Sequence, residues 1–337
     1  MAKFEGPTPV AFSDSPGKIA LQALARDFRA KLSIAILILV ALSALAAPLY
    51  ASKIAHTNPF TSTLDATITI NGKQVPVLEP STSGLGLGVT PIGPTWRSSY
   101  FLGADNQGRD IAARVLYGGR NTLFIGTLAT AVTIILSLFI GLFAGYRRGI
   151  IDSILSRLLD VIWAFPVYLL AISLSVVLLT SGLTLGPIHF GAGSMALPIF
   201  IIGIVYIPYV ARPLRGQVLA LREREFVKAA ISTGAKNSTI MFREILPNLA
   251  PNVLVFIPIM IALSMLTESA LSFLSIGVQP PAASWGTIIS DGLALLYTRP
   301  IVAIAPGLMI VITAAALNLF GDAVRDALDP KFKNRDM

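Results

Sequence analysis

Long apolar runs alternate with polar segments along most of this chain, and their lengths predict membrane-spanning helices. A bilayer core about 30 Å thick is crossed by about 20 apolar residues in a helix. Six runs come near this length, and we place them at residues 32–49, 122–146, 162–180, 195–214, 253–273 and 301–320. The pattern therefore predicts an all-α integral membrane protein whose two ends lie on the same side of the membrane.

The first run requires separate consideration because it ends in Ala44-Leu45-Ala46, which resembles the small-residue site of a cleaved signal peptide. A segment of 31 residues precedes the run, which is long for the basic region of a signal peptide. That segment contains Lys18, Arg26, Arg29 and Lys31. We therefore expect a retained anchor helix, with a cleaved signal as the alternative.

Composition agrees with a membrane protein and limits the chemistry. Hydrophobic residues make up 54% of the chain, charged residues 13%, and the mean hydropathy is +0.73. Soluble domains carry about 25% charged residues. There are no cysteines, which excludes disulfides, thiolate nucleophiles and cysteine metal sites. The two histidines, His56 and His189, argue against a histidine metal site.

The distribution of basic residues predicts the orientation. The segments 1–31, 147–157, 212–243 and the tail after residue 320 hold 19 of the 26 Lys and Arg residues. Basic loops are retained on the cytoplasmic side, so both termini are expected in the cytoplasm. The net charge of +8 is explained by these loops and does not indicate a nucleic-acid partner.

The region between the first two spans, residues 50–121, is too long for a simple turn. Within it, residues 67–70 and 74–77 alternate apolar and polar positions on either side of Asn71-Gly72, which is a strong hairpin signal. Residues 80–94 are rich in Gly, Ser, Thr and Pro and predict an irregular loop. We expect a small extracytoplasmic cap, and both a solvated insertion without a role and a contact surface for a partner remain open.

The basic segment 225–248, between the fourth and fifth spans, predicts a helix, a hinge and a second helix. In the first helix, at residues 222–232, Phe226, Ala229 and Ala230 share one face. Gly234 breaks this helix. The second helix is expected at residues 237–246.

This second helix is expected to begin with Asn237 or Ser238 as its N-cap and to end at Pro247. Two interpretations of the whole segment follow from its residues. It lies on the bilayer surface with basic side chains toward lipid phosphates, or it forms a docking site that the small alanines open to a close neighbour. The basic side chains are Arg222, Arg224, Lys228, Lys236 and Arg243.

Several separated motifs resemble one family, the permease subunits of ATP-binding-cassette importers in the dipeptide, oligopeptide and nickel branch. Besides the 225–248 segment, the motifs are FLGADNQGRDIAARVLYGGRNTLFIG at 101–126, LDVIWAFPVYLLAI at 159–172, ESALSFLSIGVQPPAASWG at 268–286 and GDAVRDALDP at 321–330. They are spread over about two thirds of the chain, from Phe101 to Pro330. They are most similar to the second of the two paired permeases in this branch.

The 225–248 segment is similar to the "EAA" loop of these permeases. Ala229, Ala230 and Gly234 have the expected spacing, and Pro247 lies in the matching Ile-Leu-Pro-Asn end. Lys228 stands where the family has the glutamate of the triplet. Glu225, one helical turn earlier, offers an acid on an adjacent face.

The resemblance implies the type I importer fold and a set of roles. The family's EAA loop is a coupling helix that sits in a cleft of a separate ATPase subunit, so ATPase coupling falls to Glu225, Lys228, Ala229, Ala230, Gly234 and Pro247. The expected partners are a homologous permease, two cytoplasmic ATP-binding subunits that hold ATP and Mg, and an extracytoplasmic solute-binding protein. This chain lacks a GxxxxGK[ST] motif, so it binds no nucleotide in a P-loop and is not itself an enzyme.

The expected substrate class is peptides, and the alternatives are nickel, opines or sugar-like solutes. The expected location is the plasma (inner) membrane of a bacterium or archaeon. The resulting organisation is an arm at 1–31, a first span at 32–49, an extracytoplasmic insertion at 50–121, a permease core at 122–325 with the coupling loop, and a tail at 326–337.

Acidic residues within or beside the spans have two interpretations each. Glu268, near the outer end of the fifth span, either faces the translocation pathway or gate, or fixes helix packing through hydrogen bonds. Asp160, at the start of the third span, is expected to cap that helix or to pair with Arg157.

Two rival classes are less consistent with the sequence. An intramembrane protease would need a nucleophile and a base, and Ser194 with His189 is a loose candidate without a visible oxyanion arrangement. An ion-coupled secondary transporter would be expected to show inverted repeats and broken helices, which are not evident in the sequence.

Overall fold

Helices make up most of the structure, a computed structural model that describes residues 16–70, 72–81, 88–191 and 193–328. In chain order the helices are α1 (Pro16–Arg26), α2 (Phe28–Leu45), α3 (Ala47–Leu49), α4 (Ile111–Arg147), α5 (Gly149–Trp163), α6 (Val167–Ser181), α7 (Ala196–Val205), α8 (Ile207–Arg222), α9 (Glu225–Ser232), α10 (Asn237–Thr239), α11 (Leu246–Phe273), α12 (Trp285–Gly292) and α13 (Ile301–Leu328). Two π-helical segments, Tyr50–Ala55 and Ile240–Ile245, follow α3 and α10, and a short 3₁₀ turn, Leu293–Leu295, follows α12.

The candidate spans in the described residues are four long helices and two bent pairs. The four are α2, α4, α13 and the continuous stretch Asn237–Phe273. The pair α5 and α6 bends by 87°, and the pair α7 and α8 bends by 42°. Proline accounts for the sharper bend, because Pro166 stands directly before α6 and has no N–H to continue the helix. Six spans result if each bent pair is one span, as the apolar runs predict.

The chain termini of the described region meet at one end of the helix bundle, which we call the arm end. Helix α1 packs against α13, and Arg29 on α2 forms a salt bridge of 3.1 Å with Asp326. Residues 56–70, 72–81 and 88–110 lie at the opposite end, which we call the cap end. Because successive spans alternate in direction, the α8 to α10 region returns to the arm end.

Helix α4 is the central helix, and it begins well before the apolar run that predicts it. It extends over 37 residues. It begins at Ile111 because Asp110 caps its first turn by accepting a hydrogen bond of 3.1 Å from the Ala113 N–H. Burial raises the pKa of the Asp110 carboxyl, while N–H groups of Ala113 and Tyr100 that bond its charged form act in the opposite direction. At 1.5 Å per residue the helix is about 55 Å long and therefore projects beyond the bilayer core.

Glycines on α4 let its neighbours approach the helix backbone. A Cβ atom on Gly145 would lie 2.7 Å from Cβ of Val218 and 2.9 Å from the Arg215 carbonyl oxygen, both on α8. Gly141 meets α8 one turn earlier, and Gly126 contacts Met265 of α11. Small residues let helix backbones approach closely. This packing holds the helices together in a bilayer, because lipid tails are as apolar as the side chains and provide no hydrophobic driving force for association.

The cap consists of two small antiparallel hairpins and a connecting core. The strands Thr67–Ile70 (β1) and Lys73–Pro76 (β2) pair around the predicted turn, of which Asn71 lies outside the described residues. The strands Leu78–Pro80 (β3) and Val89–Pro91 (β4) form the second hairpin. Arg299, before α13, donates a hydrogen bond of 2.7 Å to the Pro91 carbonyl and thereby ties the cap to the bundle.

A buried ionic cluster joins the cap end of α4 to α12. Asp105 accepts hydrogen bonds from Arg109, at 2.7 Å, and from Arg114. One oxygen of Asp291 on α12 accepts from the same two guanidinium groups at 2.9 and 2.8 Å. Each charge has partners of opposite sign, which is the condition for keeping such groups out of water. The cluster therefore fixes α12 against α4.

The close contact between α4 and α8 generates a test of the fold. Gly145→Ala should lower the thermal unfolding midpoint of the purified protein, with a cost of about 1–3 kcal/mol, because the new methyl group overpacks a filled contact. Gly216→Ala is the matched control, since no atom lies within 4 Å of its Cβ position. The control should be neutral or stabilise by about 0.5–1 kcal/mol, because alanine is the better helix former. Equal effects of the two substitutions would contradict the packing described.

Candidate functional site

The segment after α8 forms a helix, a tight glycine turn and a second helix, all at the arm end. Helix α9 ends in a turn in which the Gly234 N–H bonds the Ile231 carbonyl and the Ala235 N–H bonds the Ala230 carbonyl, both at 3.0 Å. This is the Schellman pattern, and Gly234 occupies its left-handed position with φ of +78°. The turn fixes the direction in which the chain leaves α9.

The second helix differs from its prediction at both ends. It does not end at Pro247, because residues 237–273 run without a break into α11, and Pro247 lies in the first turn of that helix, where a missing N–H is tolerated. The π-helical segment Ile240–Ile245 directly before it changes the hydrogen-bond register. The predicted cap is also wrong, since Lys236 occupies the N-cap position without a side-chain bond. Asn237 instead accepts a hydrogen bond from Tyr146.

The surface of α9 is divided between the protein and its surroundings. Val227 is completely buried, and Ala230 is half-buried against the main core. Phe226 and Ala229 are exposed, so the face predicted for Phe226, Ala229 and Ala230 is split between outside and inside. Glu225 and Lys228 are exposed on the same helix. The helix is therefore held by one side and presents an aromatic ring beside a small residue on the other.

Tyr146, the next to last residue of α4, anchors both sides of this segment. Its hydroxyl donates a hydrogen bond of 2.8 Å to Asn237 at the start of α10. Arg222, at the end of α8, lies over its ring at 5.6 Å from the centroid, within the range of a cation–π contact. Sequence reasoning missed this role because Tyr146 is simply the end of an apolar run. An aromatic residue with a polar tip at a span end could have drawn attention to it.

Three ion pairs connect α5 and the residue before it to α8 and the residue after it. Arg148 pairs with Glu223 at 2.6 Å and Asp160 with Arg212 at 2.6 Å. Asp152 binds Arg215 through two parallel hydrogen bonds of 2.5 and 2.6 Å. A two-bond carboxylate–guanidinium pair is the most directional of such contacts. Movement of α8 is thereby coupled to α5.

The predictions for Asp160 are both wrong. Helix α5 begins at Gly149, so Asp160 lies near its C-terminal end and cannot cap its start. Its partner is Arg212 on α8, and not Arg157 on its own helix. The apolar run that places a span start near residue 162 gives no sign that an earlier amphipathic helix precedes the bend.

Glu268 is fully buried at the meeting point of α11, α4 and the start of α12. Its carboxylate accepts hydrogen bonds from Ser272 at 2.7 Å and Ser269 at 3.4 Å. The side chains of Thr122 on α4 and Ser284 before α12 also lie beside it. This ring of donors satisfies the buried carboxyl within the chain and favours the packing interpretation over a pathway role.

The protease candidates do not form a catalytic pair. The His189 Nδ1 atom bonds the Thr184 hydroxyl at 2.8 Å, and the Ser194 hydroxyl accepts from the Ala196 N–H at 3.3 Å. A group of three or more potential metal-binding side chains is also absent from the part of the chain that the structure describes.

Comparison with known proteins gives consistent results. Residues 137–334 match the family model described as "Binding-protein-dependent transport system inner membrane component". A protein of Brucella abortus provisionally named a peptide transport system permease is 34% identical over 336 residues, which is 99% of both chains. The glutathione transport system permease GsiD of Pectobacterium atrosepticum is 39% identical over 237 residues, 70% of this chain and 74% of that one. The oligopeptide transport system permease OppC of Bacillus subtilis is 37% identical over 234 residues, 69% of this chain and 72% of that one.

A solved structure shares the fold. A crystal form of the MetNI methionine ABC transporter in an inward-facing conformation aligns with a TM-score of 0.51, covering 64% of this chain and 96% of that chain. The sequence identity is 17%, so the likeness concerns the fold alone.

The Tyr146 anchor generates a prediction about local stability. Tyr146→Phe removes the hydroxyl that bonds Asn237 and keeps the ring beneath Arg222. We expect faster amide hydrogen exchange at residues 233–240, with a local cost of about 0.5–1.5 kcal/mol. Tyr209→Phe is the control, because the described residues offer its hydroxyl no hydrogen-bond partner. Unchanged exchange in Tyr146→Phe would show that the bond does not hold the segment.

Glu268 generates a second prediction. Glu268→Ala should lower the thermal unfolding midpoint, because it leaves the buried hydroxyls of Ser272 and Ser269 without their acceptor, at about 1–3 kcal/mol for an unsatisfied group. The exposed carboxylate Glu225 provides the control, and Glu225→Ala should leave the midpoint unchanged. If Glu268→Ala leaves it equally unchanged, the packing interpretation is wrong.

Proposed function

We propose that this chain, which belongs to the family of binding-protein-dependent transport system inner membrane components, forms half of the translocation pathway of an ATP-driven peptide importer. The resemblance to ATP-binding-cassette permeases and the type I importer fold are confirmed by the family match and the shared fold. The chain is a transport subunit and not an enzyme. Relatives named for peptide, glutathione and oligopeptide transport support a peptide as the substrate.

The proposed arrangement puts the arm end in the cytoplasm. The basic segments 147–157 and 212–243 lie at this end, and basic loops resist translocation. The ATP-binding subunits, with ATP and Mg, would then approach the arm end from the cytoplasm. The cap would face the solute-binding protein on the other side, and a homologous permease would complete the membrane domain.

The observation that carries this function is the divided surface of α9. A helix that docks into another protein needs an exposed face of its own and a firm attachment behind it. Phe226 and Ala229 provide the face, while Val227 and the Tyr146 contacts provide the attachment. An aromatic ring beside an alanine suits a cleft, because the ring fills it and the small residue lets the backbone approach. The contact residues proposed are Phe226 and Ala229, with Glu225 and Lys228 at the edge and Ala230 behind them, half-buried against the core.

The geometry also supplies a route by which a push on α9 reaches the membrane helices. Helix α9 follows α8 after a short turn. The Gly234 turn sets the angle between α9 and the next stretch of chain, which runs into α11 at Pro247. The ion pairs of Asp152 and Asp160 carry movement of α8 to α5. ATPase closure would therefore act on three spans at once, as alternating access requires.

Docking through α9 generates the main test. Phe226→Asp should lower the ATP hydrolysis stimulated by loaded binding protein at least tenfold in the reconstituted importer, because a charge replaces the ring in the cleft. Phe28→Asp is the control, since Phe28 is exposed at the same end and an acid at the first turn of α2 is tolerated. Stimulated hydrolysis that survives Phe226→Asp would overturn the docking assignment.

The hinge generates a companion prediction. Gly234→Ala puts a side chain at φ of +78°, where no atom lies within 4 Å, so its effect is backbone strain of about 1–2 kcal/mol. We expect weaker coupling of ATP hydrolysis to peptide uptake. Gly186→Ala imposes similar strain at φ of +60° at the cap end and should leave coupling unchanged. Equal effects at both glycines would refute a specific role for Gly234.

A further inference from the structure

A row of aromatic rings leads from an ion pair on α5 and α8 into the helix bundle. The Arg212 guanidinium lies 5.1 Å from the ring centroid of Trp163, which stacks on Tyr209 at 6.0 Å. Tyr209 meets Tyr206 edge-on at 6.4 Å, and the Tyr206 hydroxyl bonds Thr267 of α11 at 2.8 Å. The row therefore crosses from the α5 bend to the interior of α11.

The outer half of this row is exposed although it lies on candidate spans. The side chains of Arg212 and Asp160 are 39% and 67% exposed, and Trp163 and Tyr209 are 46% and 42% exposed. Arg212 lies ten residues before the end of α8 at Arg222, which is about 15 Å along the helix. A charge inside the bilayer costs about 2.5–3.5 kcal/mol and usually faces water or protein. This face is therefore poorly suited to lipid.

A cleft of about 260 Å³ opens beside the ion pair and is lined by Ser156, Leu159, Asp160, Arg212 and Arg215. Complete ligand pockets usually measure about 300–1,000 Å³. The cleft on this subunit is therefore smaller than a complete ligand pocket. In the proposed importer the homologous permease would supply further walls.

The chemistry of this face matches a free peptide. The Asp160–Arg212 contact uses one carboxylate oxygen and one guanidinium nitrogen, and the remaining donors of the arginine make no other hydrogen bond within the described residues. At neutral pH, a peptide with free termini carries an ammonium group at one end and a carboxylate at the other. Asp160 can accept from the first and Arg212 can donate to the second, while the rings contact apolar side chains with little selectivity.

We propose that Asp160, Arg212, Trp163 and Tyr209 form a peptide-contacting site in the translocation pathway. The proposal rests on the proposed importer function and adds the residues that meet the substrate within the membrane. It predicts that the face is wet, favours anions near Arg212 and is open from the cytoplasm only in the inward-facing state. An aromatic belt at the lipid headgroups would not combine wetness, a preference for anions and access that depends on the state of the transporter.

The absence of cysteine allows a direct test with single-cysteine variants. Tyr209→Cys is compared with Ile312→Cys on α13, whose native side chain is 43% exposed against 42% for Tyr209. The complex of this chain with its permease and ATPase partners is reconstituted in proteoliposomes, so that reagent added outside reaches the cytoplasmic side of the complexes whose ATPases face outward. It is treated with anionic sulfonatoethyl or cationic trimethylammonioethyl methanethiosulfonate, which react with ionised thiols in water.

We expect Tyr209→Cys to react at least tenfold faster than Ile312→Cys, and faster with the anionic reagent than with the cationic one. Adding Arg212→Gln should remove the preference for the anionic reagent, and Arg212→Lys should keep it. Trapping the ATPases with ATP and vanadate should slow the reaction from the cytoplasmic side. Equal rates at the two cysteines, no preference between reagents, or a rate insensitive to trapping would each overturn the proposal.

A parallel measurement separates this inference from the function on which it rests. ATP-dependent uptake of radiolabelled alanyl-phenylalanine and glutathione is measured in proteoliposomes that contain the wild-type complex and its binding protein. Failure of the proposed function appears as absent uptake in the wild type. Failure of the present inference appears as normal wild-type uptake together with an unreactive or charge-indifferent cysteine at position 209.

Discussion

The close approach of α8 and α11 to the backbone of α4 is the constraint on which the rest of the structure depends. Gly126, Gly141 and Gly145 remove the side chains that would separate these helices, and a single methyl group at Gly145 would collide with Val218 and a carbonyl oxygen of α8. In a bilayer, contact of this kind replaces the hydrophobic force that assembles soluble cores. It also brings Tyr146 beneath the segment that follows α8. The candidate docking helix is thus positioned by packing that begins inside the membrane domain.

The two ends of the bundle are held by ionic contacts of different character. At the cap end, Asp105 and its arginine partners are buried, so removing one charge would strand the others in a medium of low dielectric. At the arm end, the Arg148–Glu223 pair is exposed, and surface contacts of this kind contribute about 0–1 kcal/mol. The buried end suits a fixed frame. The exposed end can exchange partners at little cost.

The helices and the hinge of the candidate site were predictable from the sequence, because they depend on local signals. Gly234 was assigned to the hinge from its position between two helix-forming segments, and it occupies the left-handed position of a helix-ending turn. Pro247 and Asn237 were misassigned, because a proline in a first turn and an asparagine at a helix start each have two common uses. Asp152 and Arg212 give no local signal of their roles, and Tyr146 gives only the weak signal of an aromatic residue at a span end. Their partners lie more than 50 residues away in the chain.

The sequence by itself determined the membrane class, the approximate positions of the spans and the family, since apolar run length and motif spacing are properties of short segments. It also determined that a GxxxxGK[ST] phosphate-binding loop is absent from this sequence. Tertiary structure alone decided where the spans bend, which face of α9 is free, how Glu268 is satisfied and that Arg212 reaches Asp160 and Trp163. The physical reason is that hydrogen bonds and ion pairs between distant residues depend on how helices cross, and crossing depends on packing summed along whole helices.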